Sequence, residues 1–135
     1  MGKNLHDSNK HRLPGSADDI MMRGMSAMDV ETKEFYGRIY SIAMMIPKGR
    51  VASYGQLAMM AGVASGARMA GRAMKDTPSE LDIPCHRVVN SNGCIAPDYV
   101  FDGKRNQRAM LEAEGVVFLP NGNIDMKMCR WNPSD

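Results

Sequence analysis

Breakers recur at short intervals along this chain: Pro47-Lys48-Gly49, Gly62, Thr77-Pro78, Asn92-Gly93, Gly115 and Pro120-Asn121-Gly122. Between them only short helices and short hairpins fit. Asp29 can cap a first helix running to about Met45, with Phe35, Ile39, Ile42 and Ile46 on one apolar face. Val51 reads as a short extended link, and Ser53 followed by Gln56 forms a capping box. The second helix then runs through Ala61 to Gly62, which suits the left-handed residue after a helix. A third helix covers about residues 66–75, and two short helices joined this way give a helix-turn-helix. Thr77-Pro78 stops the third helix. Residues 88–95 read as a small hairpin turning at Asn92-Gly93. Asp102 can cap a fourth helix through Glu114, and residues 116–128 read as a last hairpin. The expected fold is mainly α with small β hairpins, a winged helix-turn-helix.

The chain has 135 residues, which suits one domain, here expected over 29–135 after a polar, flexible tail over 1–28. The net charge is only +2, yet Lys33, Arg38, Lys48, Arg50, Arg68, Arg72 and Lys75 stand against Glu34 alone between positions 33 and 75. Such a basic segment suits a polyanion. Three cysteines, Cys85, Cys94 and Cys129, without a Cys-x-x-Cys pair, argue against a disulfide framework and a structural metal site. They point to a reducing, cytoplasmic setting. There is no run of about 18 apolar residues and no secretory pattern, so no membrane is expected. The fourteen methionines read as flexible core filler.

Chemistry concentrates in Pro84-Cys85-His86-Arg87-Val88-Val89. A free thiol, with a pKa of about 8.5, is mostly protonated at neutral pH. A neighbouring imidazole is one standard way to activate it. Taken alone, the dipeptide fits a buried thiol beside a surface imidazole equally well.

The run Ile46-Pro47-Lys48-Gly49-Arg50-Val51-Ala52-Ser53-Tyr54-Gly55-Gln56-Leu57-Ala58 resembles the DNA-binding domain of O6-alkylguanine-DNA alkyltransferases. Gly66-Ala67-Arg68-Met69-Ala70-Gly71-Arg72-Ala73-Met74 resembles their recognition helix, and the Pro84–Val89 run their active-site motif. Glu112-Ala113-Glu114-Gly115-Val116 is similar to the end of their last conserved helix. The resemblance implies a repair protein that takes the alkyl group from O6 of guanine onto its own cysteine, without cofactor or metal. It implies Cys85 as acceptor, His86 acting through a water, and Glu114 orienting the imidazole. It implies Arg68 filling the gap left by a flipped base, with Tyr54 helping to rotate the nucleotide. Ser53, Gly66, Ala67 and Arg72 would complete a minor-groove surface, where small residues allow close approach. Pro84, Val88, Ser91 and Tyr99 would line the base pocket. The partner implied is duplex DNA bearing O6-alkylguanine, bound by a monomer.

The chain also departs from that family. It has a polar tail where the transferases usually carry a further domain, and Met69 is bulkier than expected. Thr77 stands where an asparagine commonly bridges the recognition helix to the active-site loop. The stretch Met128-Cys129-Arg130-Trp131-Asn132-Pro133 and the segment Lys104-Arg105-Asn106-Gln107-Arg108 resemble the single-domain alkyltransferase-like proteins. Those bind alkylated guanine without removing it, flag it for nucleotide excision repair, and characteristically lack the acceptor cysteine. Two functions therefore compete, a self-inactivating transferase and a lesion sensor. A plain winged-helix regulator would leave Cys85, His86 and Glu114 unexplained.

Overall fold

The computed structural model describes residues 29–95 and 107–134. The expected tail, the Asp102 cap, Tyr99 and residues 104–106 lie outside them. Helix α1, Val30–Ala43, starts where Asp29 accepts the Thr32 amide at 2.7 Å. Its buried side is Phe35, Tyr36, Ile39, Tyr40 and Ala43. The stripe is thus wider than the isoleucine spacing indicates: Ile42 is only partly buried, and Ile46 is buried from the turn beyond the helix. The two tyrosines sit edge to face, 6.1 Å apart, and Tyr40 donates at 2.8 Å to the Ala73 carbonyl. An aromatic body with a satisfied hydroxyl serves a core as well as an aliphatic residue.

Strand β1, Ala52–Ser53, leads directly into helix α2, Tyr54–Met60. Ser53 Oγ accepts the Gln56 amide at 3.0 Å, which is one half of the expected capping box. The other half is absent: the Gln56 carboxamide turns away and donates at 2.9 Å to the Trp131 carbonyl. Gly62 sits after α2 at φ 92°, the left-handed conformation that ends helices. Helix α3, Ala67–Lys75, follows. Gly66 before it is irreplaceable by volume, because a Cβ there would lie 3.0 Å from Phe35 Cζ and from the Val63 carbonyl oxygen. α1, α2 and α3 pack on one another, with Leu57, Ala58, Ala61, Ala70, Ala73 and Met74 filling the contact.

The sheet differs from the expected hairpin. Strand β2, Val88–Val89, runs parallel to β1, pairing Ala52 with Val88 and Ser53 with Val89. The Asn92-Gly93 turn does form, with Gly93 N–H donating to the Asn90 carbonyl at 2.9 Å. The chain beyond it lies against Ile124, whose amide donates to the Gly93 carbonyl at 3.0 Å. Two buried valines preferred a partner already in the core over each other's neighbours across a tight turn. The last hairpin shrinks to one antiparallel bridge, Phe118 with Ile124. Its second arm folds into a short helix, capped by Asp125, instead of extending to residue 128.

Helix α4 is Gln107–Ala113 and helix α5 is Met126–Cys129. A second core cluster, Val51, Val89, Leu111, Val116, Ile124 and Cys129, joins these C-terminal pieces to the sheet. Trp131 donates its amide to the Val51 carbonyl at 2.7 Å and plugs into the first cluster. The methionines correct the filler reading. Met74 is the one buried in the core among those described, whereas Met59 is 67% exposed and Met45 62%. They end α2 and follow α1, where the helices turn away from the core. Among the described residues, no helix is long and apolar enough to cross a membrane.

Candidate active site

The Cys85–Arg87 triplet is one turn of 3-10 helix, set by Pro84 at φ −76° and feeding straight into β2. Parallel pairing of β2 with β1 brings this turn alongside the start of α2. The turn bonds its own backbone: Cys85 N–H donates to the Ile83 carbonyl at 2.8 Å and Arg87 N–H to the Pro84 carbonyl at 2.9 Å.

The cysteine points inward, packed against the first core cluster. Its Sγ donates to Thr77 Oγ1 at 3.4 Å. Thr77 in turn donates to the carbonyls of Met74 at 2.8 Å and Ala73 at 3.1 Å, at the end of α3. Burial pushes the Cys85 thiol above its usual range, since a thiolate loses more solvation than a thiol. Tyr54, half-buried at the start of α2, is raised by burial and then by the neighbouring Cys85.

His86 points the other way. Its Nε2 lies 2.9 Å from Glu114 Oε2. A carboxylate only accepts, so Nε2 carries the hydrogen and Nδ1 of the neutral ring keeps its lone pair. Glu114 is a carboxylate throughout the physiological range. The Arg87 guanidinium, with His86 adding to it, lowers its pKa from 4.5 to about 2. Arg87 grips both oxygens, Nε to Oε1 at 2.9 Å and Nη2 to Oε2 at 2.7 Å. Its remaining nitrogen, Nη1, donates to the Ile46 carbonyl at 2.8 Å, so the loop is tied to the end of α1 as well. Gln107, buried at the start of α4, donates to the His86 carbonyl at 2.9 Å and holds the turn from a third side.

The structure thus brings Cys85, His86 and Glu114 into one loop-and-helix cluster. Sequence reasoning missed Arg87 and Gln107. Arg87 lay inside the quoted motif but had no partner until the fold supplied one, and Gln107 carried no signal distinguishing it from a surface residue. Thr77 was noted as a substitution, and its contact with the thiol emerges here.

The expected DNA-facing residues divide. Arg68, Ala67 and Arg72 are exposed on α3, and Gly66 is buried at its start. Ser53 is 7% exposed and occupied in capping α2. Of the expected pocket residues, Val88 belongs to the first core cluster, Pro84 is partly buried and Ser91 is exposed on the turn. Among the described residues no His, Cys, Asp and Glu cluster could hold a metal ion.

Comparison with known proteins places this geometry. The profile of the family described as "6-O-methylguanine DNA methyltransferase, DNA binding domain" matches residues 34–116. Alkyltransferase-like protein 1 of Schizosaccharomyces pombe is 42% identical, covering 74% of this chain and 96% of its own. The DNA base-flipping protein of Escherichia coli is 40% identical, over 73% of this chain and 74% of its own. The methylated-DNA–protein-cysteine methyltransferase of Cricetulus griseus is 37% identical over 58% of this chain, which spans only 37% of that protein. The crystal structure of S. pombe Atl1 in complex with damaged DNA containing O6-carboxymethylguanine matches with a TM-score of 0.64 at 35% identity, covering 78% of this chain and all of that one. The Mycobacterium tuberculosis OGT complex with DNA matches less of itself, with a TM-score of 0.52 at 32% identity over 60% of this chain and 48% of that one. The fold is accordingly the alkyltransferase-type DNA-binding domain, mainly helical with a small parallel sheet. On both sequence and structure, this chain belongs to the 6-O-methylguanine DNA methyltransferase family, whose DNA-binding domain it carries.

Proposed function

We propose that this protein recognises O6-alkylguanine in duplex DNA, flips the damaged base out of the stack, and takes the alkyl group onto Cys85. Flipping is required because the O6 substituent is shielded inside the duplex. Arg68, exposed near the start of α3, is placed to fill the vacated position, and Tyr54 lies beside the cysteine. Ala67, Gly66 and Arg72 would share the minor-groove contact. In the transfer step a bond forms between Cys85 Sγ and the alkyl carbon while the carbon–O6 bond breaks. The electron pair leaves with guanine O6, and the thiol proton neutralises the guanine anion. His86 would accept that proton first, through its bare Nδ1. Displacement at saturated carbon needs mainly alignment and a deprotonated sulfur.

The observation that carries this reading is the Glu114–His86 bond beside a free thiol. It sets the imidazole tautomer that can accept a proton. The test is intact mass after incubation with duplex DNA carrying O6-methylguanine, followed by peptide mapping. One added methyl on Cys85 is expected.

A second reading has its own support. The relatives matched over most of their length are an alkyltransferase-like protein and base-flipping proteins, and the thiol here is buried, protonated and bonded to Thr77. On that reading the chain binds the lesion and signals to excision repair. An unchanged mass together with tight lesion binding would establish it.

A further inference from the structure

We propose that Thr77 is a positioning residue that holds Cys85 in its thiol form, with the S–H directed away from His86, and so restrains the reactivity of the site. The inference deepens the transfer reading and, for its effect on transfer, rests on it. Its effect on the thiol does not.

The reasoning turns on one hydrogen. A threonine hydroxyl has a single hydrogen and two lone pairs. Thr77 commits that hydrogen to the Met74 and Ala73 carbonyls, which end α3 and lack the amide partners a longer helix would supply. Ala73 already receives Tyr40, so the shorter bond, to Met74, takes most of the Thr77 hydrogen. What Thr77 offers Cys85 is a lone pair, and the sulfur answers as donor. A hydroxyl stabilises a thiolate only by donating to it. Doing so here would strip two helix-end carbonyls of their partner.

The other groups facing the sulfur cannot take over. Tyr40 from α1 and Tyr54 from α2 are both pushed up by burial and remain neutral at physiological pH. Arg87, the nearest cation in sequence, is spent on Glu114 and Ile46. His86 has its Nε2 on Glu114. The thiol is therefore bonded in its protonated state by a residue that also fastens the recognition helix. An asparagine at position 77 would carry two N–H hydrogens and could serve a carbonyl and the sulfur together.

The test is the pH profile of Cys85 alkylation by iodoacetamide in the full chain without DNA, read by peptide mass at Cys85. Thr77→Asn is expected to lower the apparent pKa and raise the rate at neutral pH by about tenfold, the size of one donated hydrogen bond to a charged group. Thr77→Val, with circular dichroism to establish folding, is expected to leave the apparent pKa unchanged or lower. Thr77→Ser should restore the parent profile. A rise in the apparent pKa of Thr77→Val would overturn the proposal, because it would mean that the hydroxyl donates to the thiolate. A profile shift in Thr77→Asn with no methyl transfer from O6-methylguanine duplex in any variant would support the inference while sinking the transfer reading.

Discussion

Replacing Arg87 by alanine removes three hydrogen bonds at once: two to the Glu114 carboxylate and one to the Ile46 carbonyl. The pair is well shielded, with side-chain exposures of 13% and 14%. Cutting one partner out of a fully buried pair costs about 3–5 kcal/mol, mostly from the charge left behind. Glu114 retains His86 and some solvent, so about 2–4 kcal/mol is the reasonable figure here. For a domain of this size that lowers Tm by roughly 10–15 °C. Arg87→Lys should recover little, because an ammonium cannot reach both carboxylate oxygens and a carbonyl together.

The pH dependence makes the reasoning refutable. Glu114 has its folded pKa depressed from 4.5 to about 2, chiefly by Arg87. Such a group contributes stability above its unfolded pKa and loses it as pH falls through the folded value. The contribution is about 1–3 kcal/mol after allowance for screening at the solvent edge. Urea unfolding of both proteins, followed by circular dichroism, should show the widest gap near neutral pH. That gap should narrow as pH falls from about 4.5 to about 2. A cost below about 1 kcal/mol, or a gap indifferent to pH in that window, would refute the view of Arg87–Glu114 as the clamp of the active-site loop.

Gly93→Ala should destabilise by about 2–4 kcal/mol, because the residue sits at φ 84° and a Cβ would lie 2.6 Å from the Ile124 carbonyl oxygen; a Tm within a degree or two of the parent would contradict it. Arg68→Ala should leave stability within about 0.5 kcal/mol, the side chain being exposed, while weakening binding to alkylated duplex by tenfold or more. Unchanged affinity in a fluorescence titration would remove Arg68 from the interface. Cys85→Ala should abolish methyl transfer while sparing DNA binding, and transfer that persists by mass would move the acceptor to Cys94 or Cys129.

Local signals that act through neighbouring backbone were legible in the sequence. Asp29, Ser53 and Gly62 sit at the helix ends as their chemistry requires, and Gly115 follows α4 at φ 91°. Partner choice over distance was not. Val88 and Val89 read equally well as a hairpin arm and as a parallel strand, and only the burial of Ala52 and Ser53 beside them decides. Residues 126–128 looked extended, yet Asp125 accepting the Met128 amide makes a helical turn cheaper there. At the site, cysteine, histidine and glutamate were visible as residue types with familiar spacing. The arginine that sets the charge of Glu114 was not, because nothing local ties positions 87 and 114.

The same contacts explain how one domain can serve both transfer and mere recognition. The loop is fixed by Arg87 to Glu114 and Ile46, by Gln107 to the His86 carbonyl, and by β2 against β1. None of these uses the Cys85 side chain, whose one described hydrogen bond is the 3.4 Å contact to Thr77. A weak sulfur bond of that length adds little to stability. The sulfur is therefore dispensable to the fold, whereas Arg87 and Glu114 are not. Base capture, which needs the loop and α3 in place, and alkyl transfer, which needs a reactive thiol, are separable by substitutions at two positions: 85, which supplies the nucleophile, and 77, which sets its protonation. A chain with Cys85 present and Thr77 beside it should bind as its relatives' fold dictates and react only as fast as that thiol gives up its proton.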